Sequence, residues 1–307
     1  MKKILVATEK PFAKVAVDGI KKIITEAGYE CILFENYTEK TQLLKAVEDV
    51  NAIIVRSDKV DKEVIDTAKN LEIVVRAGAG YDNVDLPAAT AKNMVVMNTP
   101  GQNSNAVGEL AIGLMLYAAR NFFNGSSGTE LRDKTLGLYA LGNTAKALAK
   151  AAHGFNMDIY AYAPSKSDAY LQAESVRRAV TSQELFSKCQ YVSLHIPKTA
   201  ETIGCIGFDL LSTMPKNATL VNTARKEVIN EDGLLKMFET RPDFKYVSDV
   251  APDNIDAINK MAAGRIFCTP KKMGAQTSEA NINAGFAAAK QIVDFFKTGD
   301  ITYQVNK

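Results

Sequence analysis

The chain has 307 residues, more than one domain comfortably holds and enough for two that each bury a core. Its 37 basic and 35 acidic residues leave a net charge of +2 with no long run of either sign, which excludes a nucleic-acid footprint and a polybasic membrane patch. Any attraction for anions must therefore be local.

The opening MKKILVATEK starts with a basic pair, but its apolar run stops after Ala7 and gives way to Glu9 and Lys10; this predicts a strand, not a secretory leader. A helix-period segment over 12–27 follows, then the strand CILF, a helix over 39–49 and the strand AIIVR, the alternation of parallel sheets. The rhythm continues through EIVVR and MVVMN to Ser104–Arg120, a segment apolar over more than one face. A helix of that kind needs two packing partners. NFFNGSSGTELRDK then reads as a connector. Beyond it comes a second series of strands, TLGLYA, DIYAYA, YVSLH, TLVNTA, KYVSDV and RIFCTP, and a last helical segment, Glu279–Lys297, with no new strand to follow it. The predicted fold class is α/β, with two parallel-sheet domains and no sequence repeat between them. No window approaches eighteen uncharged apolar residues, so no transmembrane helix is expected. Cys31, Cys189, Cys205 and Cys268 lack the spacing of a zinc site or redox dithiol; they read as free thiols in a reducing cytoplasm, and no metal is expected.

Two stretches carry chemistry. KTLGLYALGNTAKALAKAAHGFNMDIYAYAP is strand, tight turn, helix and strand, with Ala140, Gly142 and Ala145 at the three small-residue positions of the dinucleotide fingerprint. Gly142 keeps the place where backbone must approach a pyrophosphate, and the helix start at Asn143 and Thr144 offers N–H groups to it. Ala140 is the weaker match, and Ala163 stands where an acid would hold the adenosine ribose. So reduced a fingerprint fits a structural turn as well as a cofactor site. The second stretch, CTPKKMGAQT, sets Lys271 and Lys272 after a buried-looking strand, either as a solvated pair or at the strand end where open α/β sheets place their chemistry.

The segments VRS, VVRAGAGYDNVD, VVMNTPGQN, VSLHIP and LVNTARKEVINEDGL, in this order, resemble the D-2-hydroxyacid dehydrogenase family over nearly the whole chain. The resemblance implies a flavodoxin-like substrate domain made from both chain ends (1–98 and 275–307), with a Rossmann-like dinucleotide domain (99–274) inserted into it. It implies NAD as cofactor, with NADP tolerated given Ala163, a small anionic 2-hydroxyacid as substrate and, together with the apolar breadth of Ser104–Arg120, a homodimer. Arg225 matches the catalytic arginine that orients the substrate carboxylate and polarises the C2 oxygen, a task for a guanidinium fork. Arg56, Arg76 and the turn at Gly78 and Ala79 match substrate-binding positions. Pro164, His195, Pro197, Thr223, Ala224, Asp249 and Gly274 join Gly142, Asn143 and Thr144 on the cofactor side. His195 falls in the cofactor loop and is not taken as a base.

The sequence departs from the family at four points. Lys272 aligns with the catalytic histidine, Asn254 replaces the family's glutamate with Asp253 one position short, the 120–134 segment is short, and a regulatory extension beyond Lys307 is not expected. In having this lysine the chain is similar to a short subgroup of the branch that acts on 3-phosphoglycerate at the first step of serine biosynthesis. Lys272 is then the expected proton-transfer group, with burial and the nearby Arg225 both easing loss of its proton. The alternatives are a reductase of hydroxypyruvate or glyoxylate and a non-catalytic NAD-binding co-regulator.

Overall fold

A computed structural model describes residues 1–306, which form two units, 1–103 with 276–306 and Ser104–Ala275.

Unit 1 contains β1 (Lys3–Thr8), α1 (Lys14–Glu26), β2 (Glu30–Glu35), α2 (Lys40–Val47), β3 (Ala52–Val55), α3 (Lys62–Thr67), β4 (Ile73–Arg76), α4 (Leu86–Ala91) and β5 (Val95–Asn98). Its five strands run in the order β2-β1-β3-β4-β5 with every pairing parallel, the flavodoxin-like arrangement. The strands are continuous aliphatic runs because both sheet faces are covered. Val47, Val64, Ile65 and Ala89 of α2, α3 and α4 join a core on one face, and Ala16, Ile20 and Ile24 of α1 join a core on the other. Ala284, Ala288, Ala289 and Ile292 from the chain's last helix belong to that second core. This helix, capped by Thr277, packs so closely on α1 that a Cβ at Gly19 would fall 2.1 Å from the Phe286 ring. The tail also binds the sheet edge: Val96 N–H donates to Asn306 Oδ1 at 2.7 Å, and Val305 N–H to the Val96 carbonyl at 2.8 Å.

Unit 2 runs α5 (Ser104–Ala119), β6 (Thr135–Tyr139), α6 (Asn143–His153), β7 (Asp158–Tyr162), α7 (Asp168–Ala173), β8 (Arg177–Arg178), α8 (Ser182–Lys188), β9 (Tyr191–Leu194), α9 (Phe208–Leu211), β10 (Thr219–Asn222), α10 (Glu231–Thr240), β11 (Lys245–Ser248), α11 (Ile255–Met261) and β12 (Ile266–Cys268). The helix closing the chain is α12 (Ser278–Thr298). The parallel order β12-β11-β10-β9-β6-β7-β8 reverses between β6 and β9, the switch point of a Rossmann-type sheet.

Two stretches of the sequence find their places here. The Gly/Ser-rich stretch does not join the two units: it lies inside unit 2, between α5 and β6. The apolar breadth of α5 is also accounted for within its own chain, because the helix is packed by α6 and by β10 and β11, leaving Asn105, Glu109 and Gly113 as an exposed stripe. Among the described residues no helix is long and apolar enough to cross a membrane.

Candidate active site

Each candidate residue lies at or just beyond the C-terminal end of a parallel strand. In unit 2, β10 ends and the chain turns through Thr223, Ala224 and Arg225. Arg225 Nη1 donates to the Ala224 carbonyl at 3.0 Å, and Lys272 Nζ donates to the same oxygen at 2.9 Å. Guanidinium and ammonium therefore meet at one acceptor although 46 residues lie between them in sequence. Lys272 departs from expectation in being exposed, as are Lys271 and Met273 beside it. The short strand β12 leads into a surface loop with little apolar cover, which is why the expected burial is not found.

Asp249, at the end of β11, is fully buried. Its Oδ2 accepts from Gly274 N–H at 2.7 Å and Met273 N–H at 3.2 Å, so this carboxylate fastens the backbone of the lysine loop. Burial pushes its carboxyl upward, against the pull of the Gly274 amide, Lys272, the Met273 amide and Arg225. Asp253 is instead ion-paired with Lys226, and Glu231 grips its loop through the amides of Asp253 and Asn254 at 2.6 and 2.9 Å.

Three buried polar atoms at the ends of the adjacent strands β9, β10 and β11 have no hydrogen-bond partner among the described residues: His195 Nε2, Thr223 Oγ1 and Asp249 Oδ1. Burial pushes His195 down to about 4, which keeps the ring neutral at ordinary pH and makes it a poor candidate for a charged role. Unpaired donors and acceptors of this kind fit a carboxamide such as that of nicotinamide, which offers both. Pro197 is exposed beside them, and Ala224 is buried.

The β6–α6 turn fits the other end of a dinucleotide. Gly142 is the N-cap of α6, no side chain caps the helix, and a Cβ at Gly142 would meet nothing within 4 Å. Phosphate oxygens can thus reach the amides that begin at Asn143 and Thr144. Ala140, where the fingerprint asks for glycine, has φ +77°, the left-handed conformation that glycine adopts without strain. At the end of β7, Ala163 offers no carboxylate, Pro164 is exposed, and Asp168 is ion-paired with Arg178, which also donates to the Lys166 carbonyl at 2.6 Å.

In unit 1, Arg76 at the end of β4 donates through Nε to the Arg56 carbonyl at 2.9 Å and folds over Gly78, where a Cβ would fall 1.6 Å from its Nη1. The Gly78 N–H donates to the Arg76 carbonyl at 2.9 Å, so of the two turn positions read as carboxylate binders Gly78 has its amide committed. Arg56 is clamped: Nη1 donates to the carbonyls of Lys10 and Pro11 at 3.2 Å each, Nη2 to Asn281 of α12, and the guanidinium lies over the Phe12 ring. The buried Asp58 holds this strand end by accepting from Arg56 N–H at 3.0 Å and Glu9 N–H at 2.6 Å. Sequence reasoning missed Asp58, Asn281 and Asn222. Each is a small polar residue near a strand or helix end, and nothing local distinguishes it from a turn former. Among the described residues no group of three or more His, Cys, Asp or Glu could hold a metal ion.

Sheet order, uncapped helix start, orphaned polar atoms and the Arg225–Lys272 pair fit a dinucleotide-dependent oxidoreductase. The sequence profile of the D-isomer specific 2-hydroxyacid dehydrogenase catalytic domain matches residues 7–306, and the chain belongs to this family. It is similar to the Thermotoga maritima hydroxypyruvate reductase, 34% identical over 83% of this chain and 88% of that one. It is similar to the Methanocaldococcus jannaschii D-3-phosphoglycerate dehydrogenase, 34% identical over 88% of this chain and 54% of that one, so it spans about half of that relative's length. Among solved structures, the NAD+-bound 3-phosphoglycerate dehydrogenase of Entamoeba histolytica is 45% identical with a TM-score of 0.91, covering 100% of this chain and 99% of that one.

Proposed function

We propose that the chain is a D-3-phosphoglycerate dehydrogenase, moving hydride between C2 of 3-phosphoglycerate and NAD to give 3-phosphohydroxypyruvate, the first step of serine biosynthesis. The convergence of Arg225 and Lys272 on the Ala224 carbonyl carries this reading, because it brings an anion fork and a proton carrier together. The 45% identity to the Entamoeba enzyme over whole chains supports the choice of substrate. NAD, when bound, supplies the hydride acceptor. Arg225 binds the carboxylate and polarises the C2 oxygen, while Lys272 takes the hydroxyl proton in oxidation and returns it in reduction. Asp249 holds the lysine loop, and His195 and Thr223 receive the carboxamide. Arg76 and the Ala79 amide take anionic substrate groups, with Arg56 ordering the Lys10–Phe12 loop beside them. The enzyme acts as a homodimer, a reading that rests on family resemblance now that α5 is covered within its own chain.

A second reading, hydroxypyruvate reductase, is favoured by the Thermotoga match and by the commitment of Arg56 to carbonyls and Asn281, which leaves fewer cations for a phosphate. Initial rates with 3-phosphoglycerate, hydroxypyruvate and glyoxylate, each with NAD(H) and NADP(H), separate the two. Preference for unphosphorylated substrates would overturn the first.

A further inference from the structure

Asn222 closes β10 and is fully buried, beyond reach of a small substrate. Its side chain is used at both ends. Oδ1 accepts from Ala224 N–H at 3.0 Å, and Nδ2 donates to the Arg225 carbonyl at 3.0 Å and to the Tyr246 hydroxyl at 3.3 Å. Its backbone carbonyl accepts from Ser248 Oγ at 2.7 Å, tying the strand end to β11. The Ala224 carbonyl lies between the two backbone groups that the amide grips. With the N–H before it and the C=O after it both held, the turn carrying this oxygen is braced on either side. It is this oxygen that receives Arg225 Nη1 and Lys272 Nζ.

We propose that Asn222 is a positioning residue that aims the Ala224 carbonyl, and through it holds the guanidinium of Arg225 and the ammonium of Lys272 side by side. The proposal rests on the reading that these two groups act in the reaction. It uses no contact between Asn222 and substrate or cofactor. An apolar side chain would fill the space but leave the turn free to pivot about Ala224, and a misplacement of about 1 Å in a reacting group can lower turnover on the order of a hundredfold. Tyr246, fully buried, is the outer brace of the same amide.

The test uses the full chain and the variants Asn222→Ala, Tyr246→Phe and Lys272→Ala. A brief pulse of acetic anhydride, read by peptide mass spectrometry, reports how tightly each lysine amine is held. Lys245 serves as internal control, because its Nζ donates at 2.7 Å to the Ala118 carbonyl and to Asn121 Oδ1 in the same unit. In Asn222→Ala, labelling of Lys272 is expected to rise about threefold to tenfold, the equivalent of one lost hydrogen bond. Labelling of Lys245 stays level, kcat falls tenfold or more on the order set by misalignment, and NADH affinity by fluorescence titration stays within about twofold. Tyr246→Phe moves the same readouts in the same direction by less and stands in should the first variant not fold. Unchanged Lys272 labelling in a folded variant overturns the proposal, as does an equal rise at Lys245, which would show general loosening. Raised labelling with unchanged kcat, together with a fully active Lys272→Ala, leaves the aiming role standing and sinks the catalytic reading beneath it.

Discussion

On the proposed mechanism Lys272 takes the part that the family gives to histidine, and its fixed points explain how a flexible side chain could be used. Its ammonium rests on the Ala224 carbonyl, and its backbone is pinned through the amides of Met273 and Gly274 to Asp249. Lys272→Ala is expected to lower turnover by a factor on the order of a hundred or more with NADH affinity largely kept. Oxidation should rise toward alkaline pH, since a lysine must shed its proton before it can accept one. If Lys271→Ala abolishes activity while Lys272→Ala spares it, the assignment is off by one position. His195 gives a stability prediction of definite sign. Its pKa falls from 6.5 to about 4 on folding, so between those values the unfolded chain binds more protons. The stability this contributes is complete above about pH 6.5 and drains away as pH falls to about 4. Urea midpoints measured across that window should fall less steeply for His195→Gln than for the parent; parallel curves would remove His195 from the account. At the position proposed for the ribose, Ala163 carries no charge to repel a 2′-phosphate, and Asp168 is ion-paired with Arg178. The ratio of kcat/KM for NAD over NADP should therefore stay below about a hundred, less than 3 kcal/mol of discrimination.

The β6–α6 turn separates what folding asks from what a cofactor asks. Ala140 holds φ +77°, which costs an L-residue roughly 1–2 kcal/mol. Ala140→Gly should recover that, less about 0.4–1 kcal/mol of added unfolded-chain entropy, for a small net gain in thermal stability. Two positions on, Gly142 has ordinary φ and open space where a Cβ would go, so nothing in the fold demands glycine there. Gly142→Ala should leave the unfolding midpoint within about 0.5 kcal/mol yet raise the NADH dissociation constant about tenfold or more, near 1.4 kcal/mol. Loss of stability without loss of affinity would reverse the roles given to this turn. The same contrast explains what was legible in the sequence. Strands buried on both faces read as aliphatic runs and were found; β8, only Arg177–Arg178, has no hydrophobic signal at all. Arg225 and Lys272 could be named as candidates because their residue types, strand-end places and likeness to a family motif carry meaning. Asn222 and Asn281 were not, since their partners are fixed by tertiary geometry, 225 residues away in the case of Arg56 and Asn281.

At the scale of the molecule, chain connectivity makes the two units unequal. The helix Glu279–Lys297 has no strand to follow it, and only the family resemblance implied its return to the first sheet; α12 packs on α1, with Ala284, Ala288, Ala289 and Ile292 in a core shared with Ile4, Val6, Ile20 and Ile24. Unit 2 is continuous from Ser104 to Ala275 and owns two cores, one on each sheet face. A fragment covering 104–275 should therefore fold alone, melt cooperatively and bind NADH within about tenfold of the parent, 1.4 kcal/mol. A fragment covering 1–103 lacks α12 and the tail that satisfies Val96 at the sheet edge. Uncovering the α1 side of its sheet forfeits about 1.5–3 kcal/mol for each large apolar side chain exposed, against a total domain stability of only about 5–15 kcal/mol. Circular dichroism of that fragment should show no cooperative transition, and adding residues 276–307 as a separate peptide should restore one. A cooperative melt of 1–103 by itself would show that the returning helix decorates unit 1 and does not complete it.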